Sequence, residues 1–577
     1  MTRPMIRKLA IAAAATALVT ASIAYALTQM TLPSNAGSSC ATSLTPAEFN
    51  AWFDAGVVSL NGAVKPANSV LFPDTPNCSF YEWSEQMFLW LTSPAPPRYG
   101  GGGGLIMNTS AFYDVTPPDA MGHRQFVPHS SGFVRAFTLR ASQKGILGLP
   151  VTMEKGSFRL LEILPTVTSR EGLPMVADQN GNQIEVAKAI QSATGKPILL
   201  DPTGREIQGP RAILQPVFAR KIESLGPFDR TELIQRITVS QAVLSLDLFG
   251  NFPETEQGQA DGNVLMAQNG SLVYYALTVN NVFALYRTML GASVPAGTKF
   301  PVTQADLDAI TNFAAANGQP PVIDSEALAI EIKTSWIESS SLADASTFIQ
   351  MKAIVPVYDT SDPNDWVQTG TTTKMLAMVG MHVVGSTGST NPANNVNHGH
   401  PEMLWATFEH LSNDPSAAYT YNKTPSGTGS IPQNTTGDWL FTANGSAGPF
   451  NQPHIQLGGS GHILSVSPFT ISPSDTLRVK PFGMDGTSSL SNAEVISLNN
   501  TVRSLLDPAD VRRNYFHEGT TWTIFGASPT PSSNQVGTKK LSNTTMETYT
   551  QGGNCFNCHG TNTTAVSHIF DDTDPLF

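Results

Sequence analysis

The chain is predicted to fold as an α+β protein, with a large body rich in antiparallel sheet, scattered helices and a separate C-terminal segment. Two observations favour sheet over a helical bundle. Only 14% of the residues are charged, while 47 glycines and 41 prolines supply many turns. Apolar residues alternate with polar ones along many segments, and short turn sequences separate these segments. At 577 residues, the chain can form one large body or two to three domains.

The N-terminus has the three parts of a secretory signal peptide. Basic residues precede an uncharged apolar run over residues 9–26, and this run ends in Ala-Tyr-Ala. We therefore expect residues 1–26 to be removed by cleavage after Ala26. The mature protein would then be periplasmic or secreted, without stable membrane insertion. An uncleaved anchor is the alternative, because an apolar run of about 18 residues just spans a bilayer.

The body is predicted to begin with a helix over residues 79–91. Trp83, Met87 and Trp90 recur there at helical spacing. Such a stripe is typical of a helix packed into a core, and it favours a core role over a cofactor site. Five consecutive glycines at 100–104 then predict a flexible loop, because no Lys-Ser or Lys-Thr follows them to complete a phosphate site.

From Phe112 to about Tyr275 the pattern predicts antiparallel sheet. Turn sequences such as residues 178–181, which contain Asn-Gly, separate the apolar runs. A Thr-x-x-Asp sequence at Thr303 then predicts a helix that Gly318 ends. Residues 330–336 alternate as a strand that is buried on one face.

The second half of the body contains further predicted elements. Residues 375–384 are apolar on both faces and predict a central strand. Pro401 predicts the start of a helix over residues 401–410. Residues 412–475 are rich in Asn, Ser, Gly and Pro, and they predict long loops with short strands. A Ser-x-x-Glu sequence at Ser491 predicts the cap of one more helix.

The last forty residues contain the sequence Cys555-Phe556-Asn557-Cys558-His559. Two thiols at this spacing can form thioether bonds to the two vinyl groups of a haem, while the adjacent imidazole binds the iron. We therefore predict one covalently attached haem c, held by Cys555 and Cys558, with His559 as a metal ligand. The corresponding domains are a body over residues 27–535, with possible subdivision near 100 and 300, and a haem segment over 536–577.

Two other uses of a Cys-x-x-Cys sequence fit less well. A closed zinc site needs about four ligands, and no second Cys-x-x-Cys or His-x-His lies near this one in the sequence. A thioredoxin-like dithiol would begin a helix after a strand, whereas this motif lies in a stretch rich in Gly, Asn and Thr.

The remaining cysteines, Cys40 and Cys78, are predicted to form a disulfide. An exported protein meets an oxidising compartment, in which disulfides form and persist. Two buried thiols are the alternative.

Four segments together resemble a group of exported bacterial cytochrome c family proteins with a single C-terminal haem motif. The segments are residues 82–91, 379–384, 400–410 and 541–549. The resemblance covers most of the mature chain in patches. It implies the haem-bearing class and a haem segment that is native to the fold. It implies no substrate, because the biochemical role of the group is undefined.

The second axial ligand decides between electron transfer and chemistry on the iron. None of the 18 residues after His559 is a methionine, which removes the simplest electron-carrier arrangement. We predict His568 as the second ligand, because it is the nearest candidate downstream. Met546, His382 and His410 remain open as alternatives, although a lone histidine in a strand is more often a core residue.

Two further groups could contribute chemistry. A buried pair of Glu409 and His410 beside a haem could act as acid and base, although a hydrogen-bonded helix end explains the same residues. His398 and His400 could form half of a second metal site, although no partner is evident in the sequence. No Gly-x-Ser-x-Gly sequence indicates a serine hydrolase.

Charge and size restrict the partners. The formal charge is −12, and loss of the signal peptide makes it three units more negative, so nucleic acid and anionic membrane surfaces are poor partners. A basic redox partner protein or a small-molecule substrate remains possible.

The first predicted function is electron transfer to or from a partner. The alternatives are a haem enzyme, peroxidase- or oxygenase-like, and a haem-based sensor, because a simple carrier needs only about a hundred residues.

Overall fold

A computed structural model gives the fold of the chain. The residues that it describes are 27–100, 104–116, 123–129, 135–136, 151–154, 157–160, 175–177, 182–191, 197–208, 211–212, 263–291, 293–390, 399–457, 462–483, 489–530, 533–551, 555–559 and 566–577. The predicted signal peptide, the centre of the glycine run, the predicted turn at 178–181 and His398 lie outside these ranges.

The described residues form a few helices and many strands. The helices are α1 (Pro46–Trp52), α2 (Asn77–Leu91), α3 (Asn281–Met289), α4 (Gln304–Ala316), α5 (Ser489–Leu505) and α6 (Cys555–Cys558). The strands are β1 (Phe112–Val115), β2 (Phe126–Pro128), β3 (Arg135–Ala136), β4 (Val151–Glu154), β5 (Ser157–Leu160), β6 (Met175–Ala177), β7 (Gln183–Glu185), β8 (Lys188–Gln191), β9 (Pro197–Leu200), β10 (Arg211–Ala212), β11 (Asn263–Val264), β12 (Tyr274–Asn280), β13 (Ile330–Glu338), β14 (Gln350–Asp359), β15 (Asp365–Thr387), β16 (His400–His410), β17 (Tyr419–Asn422), β18 (Thr428–Ile431), β19 (Ile455–Leu457), β20 (His462–Ser465), β21 (Tyr515–Thr523) and β22 (Gln535–Gly537).

One large sheet forms the centre of the protein. Thirteen of the described strands belong to it, and their pairs are antiparallel apart from that of β3 with β14. Its central part has the order β12, β13, β15, β16 and β21. The 23-residue β15 pairs with β14 and β20 in its N-terminal part and with β13 and β16 in its C-terminal part. This sheet with scattered helices confirms the predicted α+β class.

Helix α2 packs on one face of the central sheet. The Phe88 ring stacks on Phe408 of β16 with centroids 4.4 Å apart. Phe80 stacks in the same way on Trp522 of β21 at 3.8 Å. The strands add buried apolar side chains to this face, namely Ile330, Ile332, Met381 and Val383. The predicted helix over 79–91 and its role in the core are therefore confirmed, with a start at Asn77.

The structure contains the predicted disulfide between Cys40 and Cys78. It joins the N-terminal segment to the first turn of α2 across a sequence separation of 38 residues. Closure of a loop of this length is worth about 3–4 kcal/mol if the main effect is on the entropy of the unfolded chain. Export remains a prediction, because a disulfide alone does not fix the compartment.

Residues 401–410 are a strand, so the helix predicted to start at Pro401 is wrong. Every residue of β16 is buried, and the strand pairs with β15 on one side and β21 on the other. Because both faces of β16 contact protein, its sequence lacks the alternation that marks a strand with one face in water. Pro401 lies near the start of the strand, where the missing N–H is least costly.

The helix predicted from Ser491 is present, but its predicted cap is wrong. Helix α5 already includes Ser489 and ends at Leu505, so Ser491 lies within its first turn. The capping box at Thr303 is confirmed, because its side chain accepts from the N–H of Asp306 at the start of α4.

The other predicted elements are confirmed where the structure describes them. Strands β13 and β15 include the predicted residues 330–336 and 375–384. Short strands β17 to β20 separate long loops between residues 412 and 475. Across the described ranges, no helix is both long enough and apolar enough to cross a membrane. The predicted domain boundaries stay predictions.

Candidate functional site

The C-terminal segment lies on the second face of the central sheet. Side chains alternate between the two faces of a strand, so this face presents the residues between those that meet α2. Three rows cross β13, β15 and β16, namely Ser335, Gly380 and Glu409; Lys333, His382 and Thr407; and Glu331, Val384 and Trp405. Described residues from Asn543 onwards contact all three rows, so this segment packs directly against the body.

The stretch before the Cys-x-x-Cys-His motif approaches the first two rows closely. The Thr545 Oγ1 atom lies 2.6 Å from Ser335 Oγ. The Asn543 side-chain amide donates to Thr407 Oγ1 at 2.9 Å. A Cβ atom on Gly380 would lie 2.6 Å from Thr545 Oγ1 and 2.8 Å from Asn543 Oδ1. Glycine at 380 therefore allows an approach that any larger residue would prevent.

Residues on either side of the motif histidine join the sheet in an apolar cluster. Its members include Val384, Trp405, Phe556, Val566, Ile569 and Phe570. Beside this cluster, the Ser567 hydroxyl donates to Glu331 Oε2 at 2.7 Å. Burial raises the pKa of Glu331, and the hydrogen bond from Ser567 opposes that shift. The third row of the sheet therefore fixes the chain that follows His559.

The His559 ring has the tautomer that a metal ligand needs. Its Nδ1 atom lies 2.9 Å from the carbonyl oxygen of Val566. Because a carbonyl oxygen only accepts, Nδ1 carries the hydrogen and Nε2 carries the lone pair. Burial lowers the pKa of His559 to about 3, and the nearby His568 adds to this effect, so the ring is neutral. Metal-ligating histidines are typically neutral and donate their other N–H to a carbonyl or carboxylate.

Trp405 contacts the His559 ring from the sheet. The two ring centroids lie 4.2 Å apart, with the planes tilted by 46°. The indole N–H of Trp405 donates to the carbonyl oxygen of Glu402 at 3.0 Å, which fixes the orientation of the indole. The sequence did not single out Trp405. The only signal was its place in the segment 400–410, which carries part of the family resemblance.

The structure also brings His568 to His559. Their rings stack with centroids 4.2 Å apart and planes 15° from parallel. Two imidazoles on opposite sides of one iron would have centroids roughly 6 Å apart, because each metal–nitrogen bond is about 2 Å long. The stacked pair therefore does not have the geometry of two opposite ligands. His568 as the second ligand stays a prediction, and it requires the ring to move when haem is bound.

Two other candidate ligands are engaged in the core. Met546 is fully buried in an apolar cluster with Tyr275 and Val379. The His410 ring stacks on Phe348 at 3.7 Å, and burial lowers its pKa to about 3. Glu409 and His410 are neighbours on a strand and so point to opposite faces. They do not form one acid–base pair over the haem segment.

Six partly exposed residues interrupt the buried layer between the sheet and the C-terminal segment. These residues are Lys333, His382, Glu547, Cys555, His559 and His568, and we call them the polar recess. His382 Nε2 lies 3.0 Å from Glu547 Oε1, and the two side chains are 21% and 23% exposed. The sequence placed Lys333 and His382 on strands, but it gave no sign that Glu547 would join them from 165 residues away.

The second predicted metal site receives no support. His400 is buried, and its Nδ1 lies 2.8 Å from Glu402 Oε1. Its predicted partner His398 lies outside the described residues. Among the residues that are described, no three His, Cys, Asp or Glu side chains converge in a way that could hold a metal ion.

A buried ion cluster lies next to the C-terminal segment. The Arg478 guanidinium contacts three buried carboxylates, those of Glu409, Asp414 and Glu518. The backbone N–H of Thr544 donates to Glu409, which joins the cluster to this segment. Burial raises the pKa of Asp414 to about 7, with Arg478 opposing the shift and Glu409 adding to it. Three carboxylates around one cation therefore keep a proton near neutral pH.

The free energy of unfolding is expected to fall by about 2 kcal/mol between pH 6.5 and 8. Burial raises the pKa of Asp414 to about 7 and that of Glu85 to about 8. Such carboxyls stabilise the fold below their unfolded pKa of about 4, and this stabilisation is lost as the pH rises to the folded value. Burial lowers the pKa of His410 and His517 to about 3, so they change stability only below about pH 6.5.

Urea unfolding of the holoprotein at pH 6.5, 7, 7.5 and 8 measures this effect. A Glu85→Gln variant should lose part of the decrease that occurs above pH 7, and the buried carboxyls of Asp414 and Glu518 should supply the rest, because burial raises the pKa of both. An unchanged slope in that variant would contradict the assignment to Glu85.

Comparisons with known proteins give no relative for this arrangement. No protein-family model matches the chain, and no match was found among curated proteins or among solved structures. The resemblance noted in the sequence therefore stays a prediction.

Proposed function

We propose that the protein is a periplasmic or secreted monohaem c-type cytochrome that transfers electrons to or from a partner. The observation that supports this most strongly is the state of His559. It follows a Cys-x-x-Cys sequence, its Nδ1 is held by the Val566 carbonyl, and its Nε2 keeps the lone pair that iron would use.

The surroundings of the motif fit a covalently bound haem. Cys555 and His559 are both partly exposed at the polar recess, and a backbone hydrogen bond of 2.9 Å links them across one helical turn. Cys555 and Cys558 would hold the porphyrin, and His559 would bind its iron. When bound, the haem supplies a site that gains or loses one electron. The protein residues orient the ligand, since Val566 fixes the His559 tautomer and Trp405 limits rotation of its ring.

The packing of the segment also suits electron transfer. The apolar cluster around Phe556 and Phe570 excludes water from one side of the motif, and a dry, rigid surrounding keeps the reorganisation around a redox centre small. The direct attachment to three strands indicates that haem, if present, would be part of the large body. Electrons could then pass between the haem and a partner bound to that body.

A second function is favoured by one observation. Met546 and His410 are engaged in the core, and His568 stacks on His559 instead of facing it. If His568 keeps this position, the iron side opposite His559 would be accessible to a small molecule. The protein would then be a haem enzyme of the peroxidase or oxygenase kind, with the recess as its substrate site.

The proposed function is tested on protein purified from cells competent for cytochrome c maturation. Its denatured chain should retain colour after acid–acetone extraction, give the alkaline pyridine spectrum of a haem with two thioether links, and carry the added mass of one haem. Loss of all colour on extraction, or an unmodified mass, would rule out the proposal.

The role of His568 is tested by spectra with and without carbon monoxide. If His568 binds the iron, the unmodified holoprotein should be low-spin and indifferent to carbon monoxide, and His568→Ala should make it high-spin and reactive. His462→Ala is the control, because His462 is also partly exposed and paired with a carboxylate, that of Asp365. Identical spectra for the unmodified protein and His568→Ala would eliminate His568 as a ligand.

A further inference from the structure

Exposed apolar side chains lie at the end of the central sheet where β15 and β21 end and β16 begins. Leu71 and Phe525 are the most exposed large apolar residues of the described chain, at 63% each, and Ile524 is 42% exposed. Ile524 and Phe525 directly follow β21. The segment around Leu71 pairs with the chain just after β15, since the Gly388 N–H donates to Ser69 O at 2.7 Å.

Two glycines bring these segments close together. A Cβ atom on Gly526 would overlap the carbonyl oxygen of Gly399, and a Cβ atom on Gly399 would lie 2.9 Å from the Cα atom of Gly388. The turn after β21 therefore packs against the start of β16, which packs against the end of β15. We call the surface formed by Leu71, Ile524 and Phe525 the apolar corner. Exposed apolar side chains grouped in this way mark interaction surfaces.

The apolar corner is uncharged, although the chain as a whole is acidic. Its three segments, residues 66–73, 383–390 and 519–530, contain no Asp, Glu, Lys or Arg, whereas 14% of the chain is charged and the formal net charge is −12. A basic partner would find no opposite charge on these segments. A second copy of the chain would be repelled at long range by its like charge. The corner therefore suits a partner whose own contact surface is uncharged and apolar.

The turn that presents Phe525 does not need an aromatic residue. Phe525 and Gly526 have φ values of 56° and 62°, and the Ala527 N–H donates to Ile524 O at 3.3 Å. Two central residues with positive φ are typical of a type I′ turn, which favours Asn-Gly. A bulky residue is unfavourable in this left-handed conformation. Local folding therefore does not account for a phenylalanine here, which leaves contact with another molecule as its role.

We propose that the apolar corner is the docking surface for the redox partner, and that this partner is a protein with an uncharged, apolar contact surface. The inference rests on the proposed function and deepens it, because it assigns the place where electrons enter or leave the body. The hydrophobic effect supplies the attraction, and it acts without the long-range steering that opposite charges would give.

Direct contacts connect the apolar corner to the proposed iron ligand. The backbone N–H of Thr523, just before the exposed turn, donates to Glu402 Oε1 at 3.1 Å. The carbonyl oxygen of Glu402 accepts the Trp405 indole N–H at 3.0 Å, and the Trp405 ring lies 4.2 Å from that of His559. Covalent and hydrogen-bonded steps couple two redox centres better than gaps of the same length. A partner at the corner is therefore connected to a haem held by His559.

The test uses haem-loaded protein and, as the probe, a reduced blue copper protein whose copper edge is framed by uncharged apolar side chains. Stopped flow measures the second-order rate of electron transfer between them. The rate should change by less than about twofold between low salt and about 0.3 M NaCl, because an uncharged contact is not screened. Phe525→Asn should lower the rate about tenfold, the typical effect of removing one central aromatic side chain from an interface.

Controls separate docking from folding. Asn suits the turn, so Phe525→Asn should unfold at the same urea concentration as the unmodified protein or a higher one. Phe525→Leu keeps an apolar side chain and should retain most of the rate. Leu60→Asn is the matched control and should retain all of it. Leu60 is 53% exposed but lies at the other end of β21, since the next residue, Asn61, donates its N–H to Asp510.

Binding is measured separately from electron transfer. NMR signals from the apolar patch of the copper protein should shift when the unmodified protein is added, and they should stay in place with Phe525→Asn. Shifts that are equally large with Phe525→Asn would overturn the docking surface.

The outcomes separate this inference from the proposed function. Protein without covalent haem would overturn both. Haem-loaded Phe525→Asn with an unchanged rate would overturn only the docking surface and would leave the polar recess as the place of electron exchange. Sedimentation velocity decides on a second copy of the chain. A dimer that Phe525→Asn abolishes would assign the corner to self-association and equally overturn the inference.

Discussion

A chain with Cys555→Ala and Cys558→Ala is expected to leave maturation-competent cells without any covalently bound haem. Both thioether links are then impossible, and His559 alone would hold a haem only reversibly. The denatured variant should have the mass of the unmodified polypeptide and give no haem spectrum. A single variant, Cys558→Ala, should keep one link and shift the pyridine spectrum, because one vinyl group stays unreacted.

The matched control removes the other pair of cysteines. Cys40→Ala with Cys78→Ala deletes the disulfide and should lower the free energy of unfolding by about 2–5 kcal/mol, but any protein that folds should still carry haem. Haem that survived in the double variant at 555 and 558 would contradict the attachment assigned to these thiols.

The sequence predicted the strands whose residues alternate or are uniformly apolar. Residues 330–336 and 375–384 are such segments, and both are strands of the central sheet. It failed at 401–410, where both faces are buried and polar residues such as Glu402 and Glu409 find partners inside the protein. Burial of paired polar groups removes the contrast on which periodicity depends.

The candidate site likewise has one part that the sequence predicted and another part that it did not predict. The Cys-x-x-Cys-His motif is local, so spacing alone identifies it. The contacts that surround it come from distant parts of the chain, since Trp405 lies on β16 and Glu547 meets His382 across 165 residues. Such pairs depend on the register of the strands, which is set by the whole sheet and not by any short sequence. The only hint for Trp405 and Glu547 was that they lie in segments that carry the family resemblance, residues 400–410 and 541–549.

Arg478→Met is expected to lower the free energy of unfolding by about 3–5 kcal/mol. The variant leaves the carboxylates of Glu409, Asp414 and Glu518 buried without their cation. Burial lowers the pKa of a guanidinium, yet these three carboxylates raise that of Arg478 overall, which reflects how strongly they depend on it. Urea unfolding at pH 7 measures the loss.

The effect should be smaller at pH 5, because protonated carboxyls no longer need a cation. A loss that is the same at both pH values would instead indicate that Arg478 acts through packing. Arg478→Met should also destabilise the C-terminal segment, because the backbone N–H of Thr544 donates to Glu409. Hydrogen exchange around residues 543–547 should therefore accelerate more than exchange in α2, which lies on the opposite face.

A charge-balanced variant separates charge from shape. Arg478→Met combined with Glu409→Gln, Asp414→Asn and Glu518→Gln removes the cation together with all three anions and keeps similar side-chain volumes. Replacement of a whole buried ion cluster by neutral groups is often close to neutral in stability, whereas loss of one partner alone is costly. The combined variant should therefore recover most of the stability that Arg478→Met loses. If it were as unstable as the single variant, the guanidinium would be needed for its hydrogen-bond geometry, and the charge balance of the cluster would not explain its place beside the C-terminal segment.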